Sequence, residues 1–207
     1  RKNNRLKAIE KMKNAKTEKE RIKYFKRCVN ITNDQFEQSQ LLLNIMGIPF
    51  VVSNEEADSQ CAYLSKNNLV DAVCTEDMDI LTFGANVLVR NISSFKKTPI
   101  EIKLDSILKK LEITYKEFID FCILLGCDYC NPLDDLDPNI IYKHFKIYKN
   151  AEETLQSLKK SGYKVKRYVD INKARSYFND CKYNECKKSD MILKKPKIKI
   201  LRNLLVN

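Results

Sequence analysis

IPFVVSNEEADSQCAYLSKNNLVDAVC, residues 48–74, is the stretch on which the fold turns. Its first five residues, Ile48-Pro49-Phe50-Val51-Val52, are apolar and rich in β-branching, over a length suited to a buried strand. Ser53 and Asn54 are helix-capping residues. Glu55 and Glu56 place negative charge in a first helical turn, where the macrodipole favours it, and the helical pattern runs to about Asn67. Val70-Asp71-Ala72-Val73-Cys74 predicts a second buried strand. Strand, helix and strand in so short a span make a βαβ unit, and such units build parallel sheets.

Outward from this unit, strands are expected at 87–90 and 101–104. Asp105 caps a helix to Leu111. Thr114 opens another over 115–125, with Phe118, Phe121, Cys122 and Leu125 inward and Gly126 ending it. Helices over 138–148 and 151–160 follow a loop rich in Asp and Pro. Beyond Ser161-Gly162 the pattern weakens, and 187–207 reads as a basic tail, ordered in part at best. Upstream, Thr32-Asn33-Asp34 caps a helix that Gly47 closes. Residues 1–27 hold neither Pro nor Gly and predict one protruding helix, whose thin apolar stripe includes Leu6, Ile9, Met12 and Ala15. The expected domains are a basic helix at 1–30, an α/β core at 31–130, a helical region at 131–160 and a basic extension at 161–207.

With 207 residues, 43% of them hydrophobic, the chain can bury a sizeable core. No run of 18 apolar residues is present, so no membrane-spanning helix is expected. His144 is the single histidine, which nearly rules out a Ser-His-Asp triad or a His-rich metal site. Arg1 rather than Met at the start suggests that a longer polypeptide precedes this chain. The eight cysteines lie partly in apolar runs, as in a reducing compartment, and Cys61, Cys74 and Cys122 read as small buried hydrophobes. Cys127 and Cys130 with Cys181 and Cys186 fit zinc poorly, because the second spacing is wide.

The net charge of +11 hides a segregation. Residues 1–30 carry twelve Lys/Arg and three acids; residues 31–140 carry eight and eighteen; residues 141–207 carry eighteen and six. Basic ends of this size attract a polyanion, most economically the phosphate backbone of nucleic acid. An acidic middle in such a protein needs a second role, and holding divalent metal beside a phosphodiester supplies one.

Three acidic groups stand out: Glu56 with Asp58, Asp77 with Asp79, and Asp128. The first two lie beyond the carboxyl ends of the predicted parallel strands, where open α/β sheets bind ligands. Gathered there, such oxygens would suit magnesium or manganese. Ordinary structural roles compete with this reading, since Glu in a first helical turn and Asp after a strand are common.

The surrounding residues resemble a known family. Glu56-Ala57-Asp58 is similar to its Glu-Ala-Glu motif, and Thr75-Glu76-Asp77-Met78-Asp79 to its Thr-Glu-Asp-Met-Asp stretch. Leu124-Leu125-Gly126-Cys127-Asp128-Tyr129-Cys130 resembles its Leu-Leu-Gly-Ser-Asp-Tyr-Cys run, and Met46-Gly47-Ile48-Pro49 matches a fourth block. These are features of the internal region of flap endonuclease and XPG-type structure-specific 5′ nucleases. The resemblance is close over 1–130, poor over 131–160 and slight beyond. It implies a parallel or mixed twisted sheet flanked by helices, like the PIN and 5′-nuclease folds, with a basic helical gateway and a degenerate helix-turn-helix. It implies that Glu56, Asp58, Asp77, Asp79 and Asp128 are metal-site carboxylates for two Mg2+ ions, Mn2+ being able to substitute. It sets Glu56, Gly126, Asp128, Arg1 and Arg5 against DNA. It also places Lys2 on a catalytic arginine position that contacts the scissile phosphate, although lysine lacks bidentate reach.

The chain departs from the family at three points. Two aspartates that complete the family's site belong to an N-terminal segment outside this chain, so the chain alone should not turn over. Asp58 replaces a glutamate and is one methylene shorter. The family's Gly-x-Gly in the helix-turn-helix is here Asp135-Leu136-Asp137, where Asp134, Asp135 and Asp137 should repel duplex phosphate, offset by Lys143, Lys146 and Lys149. The family's sliding-clamp peptide is not recognisable in 200–205. The resemblance implies a Mg2+-dependent 5′ endonuclease or exonuclease acting on DNA with a 5′ flap, branch or end, in replication, recombination or repair. The location would be the nucleus, or a viral factory if the source is a virus, with no membrane partner. A non-catalytic DNA-binding relative and a PIN-type nuclease of single-stranded RNA are the alternatives.

Overall fold

The computed structural model describes residues 2–28, 31–127, 129, 130, 133, 136–165 and 170–206, with the backbone alone at 2–5. The elements run α1 (Lys2–Lys13), α2 (Glu18–Cys28), α3 (Asn33–Met46), α4 (Ala57–Lys66), β1 (Val73–Cys74), α5 (Asp79–Thr82), β2 (Val87–Arg90) and β3 (Ile100–Lys103). There follow α6 (Leu104–Leu111), α7 (Tyr115–Leu125), α8 (Pro138–Tyr148), α9 (Ala151–Lys160), α10 (Ile171–Asn179) and α11 (Ile198–Val206). They form two compact units. One runs up to Phe50 and includes Leu193 onward, and the other spans Val51–Ile192.

In the first unit the single helix expected over 1–27 is two helices, α1 and α2, packed on each other. The break has a local cause. Thr17 takes the Glu20 N–H on its hydroxyl at 3.2 Å and the Arg21 N–H on its carbonyl at 3.0 Å, which starts a new helix. Helix α3 begins with a capping box: Gln35 N–H reaches the Thr32 hydroxyl at 3.2 Å, and the Gln35 side chain takes the Thr32 N–H at 3.1 Å. It ends at Gly47, whose φ of +74° is left-handed. A Cβ there would overlap the Lys194 carbonyl. Lys194 N–H bonds Gly47 O and Lys197 N–H bonds Ile45 O, both at 2.8 Å, and α11 packs on α3. The C-terminal residues are thus docked, not a loosely ordered tail, and the first unit takes in 31–50 and 193–206 as well as the basic helices.

The second unit holds a three-stranded mixed sheet in the order β1-β2-β3. The pair β1-β2 is parallel, with Val73 opposite Leu88, and β2-β3 is antiparallel, with Leu88 opposite Ile102. Residues 48–52 form no strand. Pro49 has no N–H to give, and the Val52 carbonyl takes the Asn184 side-chain amide at 2.6 Å. On the far edge of β1 no strand pairs among the described residues. The core gathers Ile80, Leu81, Leu88, Ile123, Leu124, Phe145 and Leu158, all fully buried.

Helix α7 has its own capping box, Thr114 with Glu117. Its buried Asp120 accepts both Arg175 Nε at 2.7 Å and Arg175 Nη2 at 2.6 Å, while Arg175 also grips Glu152. This bracket joins α7, α9 and α10. Helices α8 and α9 pack on each other across Lys149-Asn150, the second of which caps α9 through the Glu153 N–H at 3.0 Å. Asp137 serves as the N-cap of α8, accepting the Asn139 N–H at 2.8 Å with Pro138 at the first helical position.

Candidate functional site

Glu56 is the N-cap residue of α4, with extended φ and ψ, yet its side chain caps nothing. Its carbonyl instead takes the hydroxyls of Ser53 at 2.9 Å and Ser59 at 2.8 Å, fixing the backbone while the carboxylate stays exposed. Asp58 lies in the first turn and is half-buried. Burial, and next the Asp58 charge, hold the Cys61 thiol above its usual value.

The chain leaves β1 through a turn built by two of its own side chains. Asp77 N–H bonds the Thr75 hydroxyl at 3.1 Å, and Asp79 N–H bonds Asp77 Oδ1 at 3.0 Å, which opens the short helix α5. Asp77 is exposed and Asp79 half-buried. Glu76 plays a structural part, accepting the Asn91 N–H at 2.7 Å and pairing with Arg90 at 3.3 Å.

After α7 the backbone swings through Gly126, whose φ of 98° and ψ of 140° lie in a region open to glycine alone. Cys127 and Cys130 then exchange both backbone hydrogen bonds, at 3.0 and 3.1 Å. Asp128 lies outside the described residues. Burial pushes the Cys122 thiol up to about 12, with the Asp79 charge adding to the effect, and the same charge acts on Cys127 and Cys130. Tyr129 lines a cavity of about 390 Å³ with Glu55, Glu56, Tyr177, Asp180 and Cys181. Its ring stacks on Tyr177, with centroids 4.2 Å apart. Burial, opposed by a Ser59 hydrogen bond and supported by Glu55, Asp180 and Glu56, raises the Cys181 thiol. The Asp79 charge thus reaches both Cys127 and Cys130, while Tyr129 shares its cavity with Glu56.

Hard oxygen donors of this kind suit Mg2+ or Mn2+. Among the described residues no three Asp, Glu, Cys or His side chains gather closely enough to form a ligand set. The same holds for Cys127 and Cys130 with Cys181 and Cys186. Of the remaining sequence candidates, Arg1 lies outside the described residues, and Lys2 and Arg5 belong to α1, described there by their backbone alone. Lys149 Nζ bonds the Glu112 carbonyl at 2.7 Å and Lys146 lies 3.9 Å from the Glu112 carboxylate, so both are engaged at the end of α6. Sequence reading missed the contribution of 170–186. Asp170 as N-cap, with Ile171, Ala174 and Phe178 at helical spacing, was the signal for α10, which brings Tyr177 and the following Asp180 and Cys181 to the cavity.

A family model for the XPG I-region matches residues 47–128. Flap endonuclease 1 of Plasmodium knowlesi (strain H) is 37% identical over 220 residues, covering 98% of this chain and 37% of that protein. Flap endonuclease 1 of Leishmania major is 38% identical over 192 residues, covering 91% and 49%. The chain thus spans less than half the length of these curated relatives. Among solved structures, flap endonuclease-1 from Methanococcus jannaschii matches with a TM-score of 0.71 at 29% identity, over 91% of this chain and 56% of that one. The catalytic core of Rad2 in complex with DNA substrate matches at 0.74 and 23% identity, over 89% and 67%, which speaks to the fold.

Proposed function

We propose that this chain, which belongs to the flap endonuclease/XPG family, supplies the internal part of a structure-specific 5′ nuclease that cleaves phosphodiesters of flap or branched DNA. The observation that supports the reading is that residues flanking Asp128 meet both acidic groups: the Asp79 charge acts on Cys127 and Cys130, and Tyr129 shares a cavity with Glu56. A divalent cation bound there would stabilise charge on the phosphate and lower the pKa of a bound water. Glu56, Asp58, Asp77, Asp79 and Asp128 would hold it, completed by aspartates from the segment of the polypeptide that precedes this chain. Asp77, with one oxygen committed to the α5 turn, would offer the other.

The chain's remaining parts serve binding. Gly126 has no side chain to keep a phosphate backbone at a distance, and the basic residues of α1 and α2 give the electrostatic attraction that DNA recognition needs. Lys2 would meet the scissile phosphate as a point charge. Tyr129 and Tyr177, stacked side by side, form the wall next to Glu56.

The test uses the intact protein with a 5′-flap DNA and Mg2+. Asp77→Asn and Asp79→Asn should each abolish cleavage while leaving flap binding within a few-fold of wild type. Cleavage retained in both would remove the metal-site reading. Absence of cleavage in the wild type, with tight flap binding, would favour a DNA-binding relative without catalysis.

A further inference from the structure

Cys127 and Cys130 are the end residues of a turn, held by two reciprocal backbone hydrogen bonds at 3.0 and 3.1 Å. In an antiparallel pair of that kind the Cα atoms lie ~5.5 Å apart. Disulfides accept Cα separations of ~4.4–6.8 Å. The two thiols already touch, with Sγ atoms 3.1 Å apart, and both are free and half-buried. Reaching a bond of ~2.05 Å then takes side-chain rotation and no rearrangement of the backbone.

We infer that Cys127 and Cys130 form a redox modification site, joined reversibly in a disulfide when the protein meets a peroxide. One thiol is oxidised by hydrogen peroxide to a sulfenic acid with release of water. The sulfur of the other displaces the sulfenic oxygen as a second water. Two thiols and one peroxide thus give one disulfide and two waters, and a dithiol reductant reverses the bond by exchange. Short separation in the chain leaves little closure entropy to lose, and the turn holds the sulfurs together before reaction. The bond would cross the segment that contains Asp128, beside Asp79 and the Glu56 cavity. Its formation does not depend on the nuclease reading.

The test is thiol mapping on the intact, reduced protein. After treatment with hydrogen peroxide and then alkylation, six of the chain's eight cysteines should be modified. The peptide spanning 127–130 should be unmodified and about 2 Da lighter, and dithiothreitol should restore both alkylation sites. Cys130→Ser should leave a sulfenic acid at Cys127 that dimedone traps. Three results would overturn the inference: full alkylation of both residues after peroxide, bridging of either to another cysteine such as Cys122, or a sulfinic acid at Cys127 with no bridge formed.

Discussion

Replacing Arg175 with alanine should cost more stability than any other single surface-reaching change in Val51–Ile192. Its guanidinium makes four short charged contacts: to Asp120 at 2.7 and 2.6 Å and to Glu152 at 2.6 and 2.7 Å. The two arms differ in worth. The Asp120 side chain is 8% exposed, whereas that of Glu152 is 43% exposed. Without Arg175, Asp120 keeps only the Ala151 N–H at 3.1 Å and is left as a buried charge. Breaking such a pair costs ~3–5 kcal/mol, and the solvated Glu152 arm adds only ~0.5 kcal/mol. Urea unfolding of the intact protein, followed by circular dichroism, should show this loss as a midpoint lowered by ~2 M at unchanged slope. The pH dependence gives a sharper check. Arg175 holds the Glu152 carboxyl below its ordinary value, first by hydrogen bonding and also by charge. That contribution is complete above the unfolded carboxylate pKa and is lost as pH falls through the folded one. The gap between the two proteins should therefore hold steady down to about pH 4.3 and narrow as pH falls further. A loss under ~1 kcal/mol, or a gap that does not change with pH, would refute the reasoning.

Gly47→Ala should destabilise the first unit, since a Cβ would meet the Lys194 carbonyl and the φ of +74° is itself unfavourable to alanine. Limited proteolysis should then cut within 193–206 at least tenfold faster, and an unchanged rate would mean that α11 is not held through this contact. Asp135→Gly with Asp137→Gly should tighten duplex binding and steepen its salt dependence, because two negative charges leave a surface proposed to face phosphate. Glycine at position 137 also weakens the α8 cap by only a few tenths of a kcal/mol, so the thermal midpoint should hardly move. No change in either binding quantity would show that this loop does not approach DNA.

Local chemistry made much of the fold legible. Thr32 and Thr114 announced their helices through capping boxes, Gly47 and Gly126 marked helix ends, and the apolar run at 87–90 gave β2. Strand reading failed at 48–52, because apolar, β-branched residues describe a surface that a sheet could use but cannot say whether a partner edge is there. The helix over 1–27 was overextended because Thr17 and Glu20, a capping pair, sit in a run whose composition is otherwise uniformly helical. At the site, the acids at 56, 58, 77 and 79 stood out by pairing, and only 77 and 79 by a position after a strand that forms, β1. Tyr177, Asp180 and Cys181 did not, because nothing in one chain segment reports that α10 folds back beside Glu56.

The way the helices of Val51–Ile192 begin bears on what Glu56 is for. Thr114, Asp137, Asn150 and Asp170 each turn a side-chain oxygen onto the first turn of the helix they start. Capping of that kind contributes ~1 kcal/mol, and a shorter polar residue would have offered it to α4 as well. Glu56 occupies the cap position of α4 and withholds its carboxylate, while Ser53 and Ser59 hold its carbonyl in place from both sides. Asp77 shows a related compromise, spending Oδ1 on the α5 turn while its side chain remains exposed. Met78 of α5 and Lys103 of α6 also make no side-chain cap, but neither carries an oxygen that could accept there, so among these three Glu56 is the acid left free of a capping role. Departures from local consistency of this sort concentrate where function is imposed. On the proposed nuclease reading, the exposed carboxylate of Glu56 and the second oxygen of Asp77 are what a divalent cation would use.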